Sequence, residues 1–145
     1  MQSAFCKAVD LLSRAEQSAL DIRLKLKKKG YQDDEIDQTI EKLYSLNYLN
    51  DRRYAESYIR KNVLLKSKSL ILRELYMKNI KLDDVDDIFE ECYQDEQVDE
   101  EKIIKNLLSH NFKNADFTDE KVKKRAISLL IRRGFNYSSA ILYLT

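Results

Sequence analysis

Shifted against itself by 49 residues, this sequence lays apolar positions on apolar positions. Phe5 and Val9 fall on Tyr54 and Tyr58, and Ile22 and Leu26 fall on Ile71 and Leu75. Gly30–Tyr31 falls on Asn79–Ile80, while Ile36, Ile40 and Leu43 fall on Val85, Phe89 and Cys92. A second shift of 49 carries Tyr54 and Tyr58 to Ile103 and Leu107. From there the register needs 55, because the loop around Phe112–Asp116 is longer. Ile71 and Leu75 then reach Ala126 and Leu130, Asn79–Ile80 reaches Gly134–Phe135, and Val85 and Phe89 reach Ala140 and Leu144. Three copies of one unit are implied, at 1–50, 51–96 and 97–145. A unit this small closes only a small core, so neighbours must stack to complete it.

The unit is helical. There is no proline, the only glycines are Gly30 and Gly134, and apolar residues recur at three- and four-residue spacing. Ser18, Asp33, Ser69, Asp83 and Thr118 precede apolar-periodic stretches and are the expected helix N-caps. Gly30 and Gly134 follow basic runs, which suits left-handed residues closing helices; Asn79 stands where asparagine is the next best choice. The spacing predicts three helices per unit: 3–14, 18–29 and 33–46; 51–65, 68–78 and 83–93; 98–110, 118–133 and 137–144. The expected fold is all-α, three tandem three-helix repeats forming an elongated curved array. That is a binding architecture more than a pocket architecture.

Net charge is only +1, but charge is distributed in blocks. Residues 1–30 carry seven bases and three acids, 51–81 nine and three, and 102–145 nine and three. Between them, 31–50 carry one base and five acids, and 82–101 carry eleven acids and no base. A polyanion would therefore meet local basic surfaces and not a basic protein. Three basic clusters stand out. The first is Arg23, Lys25, Lys27, Lys28 and Lys29; the second is Arg52, Arg53, Arg60 and Lys61, interleaved with Tyr54 and Tyr58. The third is Lys121, Lys123, Lys124, Arg125, Arg132 and Arg133. The same residues also read as solvated helix faces, and the tyrosines as core residues with their hydroxyls at its edge. A base-stacking role would require exposed rings.

Little else in the sequence offers chemistry. His110 is the sole histidine and reads as a helix-end residue. Asp83–Asp87 lacks the glycine turn and distal glutamate of an EF-hand loop and reads as one helix's acidic face. Cys6 and Cys92 lie on apolar stripes and read as reduced core thiols. There is no paired-carboxylate arrangement and no glycine-rich phosphate loop, so neither an enzyme nor a cofactor or metal is expected. No apolar run has the length of a membrane span and no signal-peptide pattern opens the chain, so a monomeric cytoplasmic protein with no membrane partner is expected.

Three segments carry a family likeness. Residues 19–31 (ALDIRLKLKKKGY), followed by Asp34, Glu35 and Ile36, resemble the first-unit signature of the RecX family. Residues 46–60 (LNYLNDRRYAESYIR) resemble its central motif, an acid, an arginine, an aromatic residue and alanine entering the second unit; Asp51, Arg53, Tyr54 and Tyr58 match it. Arg132, Arg133, Gly134 and Phe135, then Tyr137, resemble the pattern closing the third unit. The likeness runs in order through nearly the whole chain; Ser67–Lys68–Ser69 departs from the glycine or proline usual there. It implies a non-enzymatic regulator that binds the groove of RecA filaments on single-stranded DNA, blocks their growth and depresses ATPase and strand exchange. Some members also touch DNA. The candidate binding residues, toward RecA or DNA, are Arg23, Lys25, Lys27, Lys28, Arg52, Arg53, Arg60, Lys61, Arg132 and Arg133. A stand-alone helical nucleic-acid-binding module and a helical adaptor for another protein are the rival readings.

Overall fold

The computed structural model describes residues 2–144, and among these all regular structure is helical. The helices are α1 (Ala4–Arg14), α2 (Ala19–Lys28), α3 (Asp33–Ser45), α4 (Asp51–Asn62), α5 (Lys68–Met77), α6 (Val85–Glu96), α7 (Glu100–Asn111), α8 (Glu120–Arg132) and α9 (Tyr137–Leu142). Each expected helix is present, most ends moving by one to three residues as terminal turns do.

Short-range polar chemistry sets the starts. Ser18 opens α2 with a capping box: its hydroxyl accepts from the Asp21 N–H at 3.1 Å, and Asp21 Oδ2 accepts from the Ser18 N–H at 3.1 Å. Asp99, Asp119 and Asn136 cap α7, α8 and α9 through their side chains. Four expected caps move. Asp33 is the first residue of α3, behind Gln32, and Asp84 replaces Asp83 ahead of α6. The Ser67 hydroxyl accepts from Leu70 N at 3.2 Å, leaving Ser69 inside the first turn of α5. Thr118 gives its hydroxyl proton to Asp116 at 2.6 Å, so Asp119 caps α8 instead. At α5 and α8 a neighbouring side chain takes a free N–H, whereas Gln32 and Asp84 make no side-chain cap bond.

The ends of α2, α5 and α8 share one geometry. Gly30, Asn79 and Gly134 have φ of 98°, 61° and 96°. Their N–H groups donate to Lys27, Tyr76 and Ile131, and the next N–H donates back to Leu26, Leu75 and Leu130. This is the Schellman pattern, and its following residues, Tyr31, Ile80 and Phe135, are all buried. The 49- and 55-residue registers thus mark a repeated turn as well as repeated apolar positions. The turns differ in their surroundings. A Cβ on Gly30 would meet nothing within 4 Å, whereas one on Gly134 would lie 2.1 Å from Ser67 Oγ and 2.7 Å from Leu70 Cβ.

The helices form two compact units, and these divide the chain differently from the repeats. Unit 1 is Met1–Ser57 with Leu75–Leu82; unit 2 is Tyr58–Glu74 with Asp83–Thr145. The core of unit 1 includes Ala4, Ala8, Ile22, Leu26, Ile36, Ile40, Leu43 and Leu49. That of unit 2 gathers Ile103, Ile104, Leu107, Ala126, Leu130, Phe135, Ala140 and Leu144, and Ile71, Ile88, Phe89 and Cys92 are also buried. The first half of α4 belongs with the helices before it, and Arg53 bonds back to the loops after α1 and α3, as described below. The end of α5 joins the same unit, where Lys78 pairs with Asp21 beside the α2 cap. Burial raises the Asp21 carboxyl, but the bonds from Lys78 and Ser18 outweigh it and hold its pKa below the ordinary 3.8.

Candidate functional site

In unit 1 most candidate cations are engaged by their own chain. Arg23 lies 2.6 Å from Asp37, and Lys27 lies 3.2 Å from Asp33. Lys25 donates to Gln17 Oε1, while Lys28 is exposed. Arg52 pairs with Glu56 one turn along α4 at 3.1 Å. Such exposed pairs contribute little to stability, and a stronger anion can displace them.

Arg53 is different. Its Nε donates to Glu16 Oε1 at 2.7 Å, and one terminal nitrogen donates to the carbonyls of Asn47 and Tyr48, both at 3.1 Å. Its backbone N–H donates to Asn50 Oδ1 at 2.9 Å. The carbonyls belong to the turn after α3, where Asn47 has φ 61°. The planar fork of an arginine holds three acceptors at once, which a lysine ammonium on a flexible stem does not. Arg53 therefore fixes the start of α4 to that turn and to the loop between α1 and α2.

In unit 2, Arg60 lies 3.2 Å from Asp95 and Lys61 is exposed. The Arg133 guanidinium donates to the Leu65 carbonyl at 3.2 Å, and its own carbonyl accepts from Ser67 N at 2.8 Å. Arg132 is exposed, its Nε reaching only the Ser128 carbonyl of its own helix at 3.4 Å. Arg23, Lys25, Lys27, Lys28, Arg52 and Arg53 thus belong to unit 1, and Arg60, Lys61, Arg132 and Arg133 to unit 2.

Two residues outside that candidate set join Arg132. Lys124 and Arg125 are exposed and share its face of α8, at 300°, 40° and 20° from Lys121 by helical periodicity. None of the three makes an ion pair among the described residues. The signal was present in the sequence: after Glu120 no acidic residue occurs.

Neither tyrosine of the second cluster is a bare stacking surface. Tyr54 is 7% exposed. Half-buried Tyr58 lies beneath Lys66, 5.7 Å from the ring centroid, and Lys66 is held 2.8 Å from Glu74. Cys92 is buried as expected, but Cys6 is exposed. Ala4 and Ala8 make the inward line of α1, and a residue two positions beyond Ala4 is rotated about 200° from it. His110 lies exposed in the last turn of α7. Asp86, within the acidic run, pairs with Lys68 at 3.0 Å. No group of three or more metal-ligating side chains is assembled among the described residues, nor is any helix of theirs long and apolar enough to cross a membrane.

Comparison with known proteins decides the family. Regulatory protein RecX of Syntrophotalea carbinolica is 34% identical over 145 residues, covering 97% of this chain and 92% of its own. The chain belongs to the RecX family. A model of the first three-helix domain of RecX matches residues 4–43, which span α1 to α3. The RecX of Bacillus velezensis is also 34% identical, over 94% of this chain, but the chain spans only 52% of that longer relative. The crystal structure of RecX from Lactobacillus salivarius superposes with a TM-score of 0.57 at 22% identity, over 97% of this chain and 94% of that one. A second RecX crystal structure gives 0.64 at 24% identity, over 93% and 66%. These two likenesses bear on the fold, which is the all-helical RecX fold.

Proposed function

We propose that this protein binds the RecA–single-stranded DNA filament and restrains it, lowering ATP hydrolysis, strand exchange and filament growth by occupying the helical groove. The observation that carries this reading is the 34% identity, over nearly the full length of both chains, to a protein named a RecX regulatory protein. The exposed cations add support, since an anionic filament needs local basic surfaces and not a high overall charge. The mechanism involves no bond chemistry, cofactor or metal. A bound protein raises the barrier to conformational cycling and to entry of a second duplex. In this reading the three sequence repeats act together as one cytoplasmic monomer, with Lys28, Lys61 and Arg132 more available to the filament than Arg53 or Arg133.

The test adds purified protein to RecA-coated single-stranded DNA and follows ATP hydrolysis. A dose-dependent fall is expected; unchanged hydrolysis at several-fold molar excess would sink the proposal. The unpaired cations of α8 also favour a second reading, direct binding to nucleic acid. It predicts retention of DNA without RecA, with an affinity that drops steeply as salt rises.

A further inference from the structure

The cations of α8 differ from the many that are held by a carboxylate, and among the described residues share their lack of one with Lys25, Lys28, Lys61 and Arg133. Arg23, Lys27, Arg52, Arg53, Arg60, Lys66, Lys68, Lys78 and Lys105 each have a carboxylate partner. Lys124, Arg125 and Arg132 have none among the described residues, and they line one side of an open groove in unit 2. Phe112, after the last turn of α7, also lines it, and Leu129, only 7% exposed, contributes a small apolar contact. The groove thus combines positive charge along one edge with an apolar strip beside it.

We infer that this groove docks an acidic segment of a partner protein, one bearing carboxylates and an aliphatic side chain. Lys124 and Arg132 are eight residues apart on α8, so their attachment points are separated by about 12 Å. Carboxylates four residues apart in an extended chain, about 13 Å, span that distance. The Arg125 guanidinium lies over the Phe112 ring, 5.9 Å from its centroid, and an arginine stacked this way keeps edge N–H donors for a carboxylate. The aliphatic side chain rests against Phe112 and Leu129.

The aromatic wall discriminates against single-stranded nucleic acid. Binding of that kind relies on aromatic faces open to successive bases. Phe112 is half-buried, carries Arg125 over its ring and packs at 58° against Phe117 with centroids 6.1 Å apart. It offers a contact for one side chain and no platform for a base.

Fluorescence anisotropy on the full chain tests this without any filament. The probes are a labelled peptide alternating glutamate and leucine, the same peptide with serine for leucine, and a labelled oligothymidylate. The glutamate–leucine peptide should bind, and the serine version about fivefold more weakly. Lys124→Glu with Arg132→Glu should weaken peptide binding at least about tenfold, and Lys124→Gln with Arg132→Gln by a smaller factor, with circular dichroism unchanged. The charge-matched control, Lys29→Glu with Lys81→Glu, should change it less than twofold. Equal loss in the control, no preference for leucine, or retention of the oligothymidylate but neither peptide overturns the inference. A chain that inhibits the filament yet ignores both peptides also overturns it, while leaving the proposed function standing.

Discussion

The arginines at the start of α4 and the cations of α8 look alike in sequence and are used in opposite ways. Arg53 gives its guanidinium to Glu16 and to two backbone carbonyls of its own unit. Lys124, Arg125 and Arg132 have no carboxylate partner among the described residues. A guanidinium committed to several internal acceptors must break those bonds before it can serve a ligand, whereas these exposed cations have only a long bond from Arg132 to its own helix and the stacking of Arg125 on Phe112 to adjust. Membership of a family motif therefore does not by itself identify a binding residue; the motif arginine here is the one most committed to the fold.

The sharpest way to break this comparison is Arg53→Ala. It leaves Glu16 and the Asn47 and Tyr48 carbonyls without their donor, and we expect a loss of about 2–3 kcal/mol in urea unfolding. Arg53→Lys should recover less than half of that, because one ammonium cannot reproduce the fork. A variant as stable as the parent would show that Arg53 is as available as the α8 cations.

Asp21→Ala comes next, at about 1–2 kcal/mol, since it removes both half of the α2 capping box and the partner of Lys78. Its pH signature identifies the cause. The folded Asp21 carboxyl lies below its ordinary 3.8, so the unfolded chain binds more protons across that range. The stabilisation is complete above 3.8 and is lost as pH falls through the lower folded value. The difference in stability between the parent and Asp21→Ala should therefore shrink on acidification in that window, and a constant difference would assign the effect to packing.

Arg133→Ala should cost about 1 kcal/mol for its single bond to the Leu65 carbonyl. Smallest of all, Lys124→Gln with Arg132→Gln should shift stability by no more than about 0.5 kcal/mol, as exposed positions do. A larger loss there would mean that these residues hold the fold.

Much of the fold was legible because its signals are local. Ser18 with Asp21, and Gly30, Asn79 and Gly134, act within a few residues of themselves, so helices and their closing turns could be read directly. The commitments of Arg53 could not. Glu16 is 37 residues away, and no periodicity links the two. Cys6 was misread for a related reason. Phe5 and Val9 mark an apolar stripe on α1, but the small residues Ala4 and Ala8 form its buried line, which turns Cys6 outward. In the candidate site the α8 stripe was visible as a basic cluster. The absence of acids after Glu120 already pointed to its lack of local partners, whereas the placing of Phe112 beside it depends on how α7 and its following loop pack.

The closing turn at Gly134 bears on how freely its repeat can drift. At position 30 a mutation meets backbone strain alone, the kind that asparagine relieves at position 79. At position 134 the hydroxyl of Ser67 occupies the room that any new carbon would need. A lineage could exchange the first glycine in one step, but changing the last would require a simultaneous change in the helix across from it.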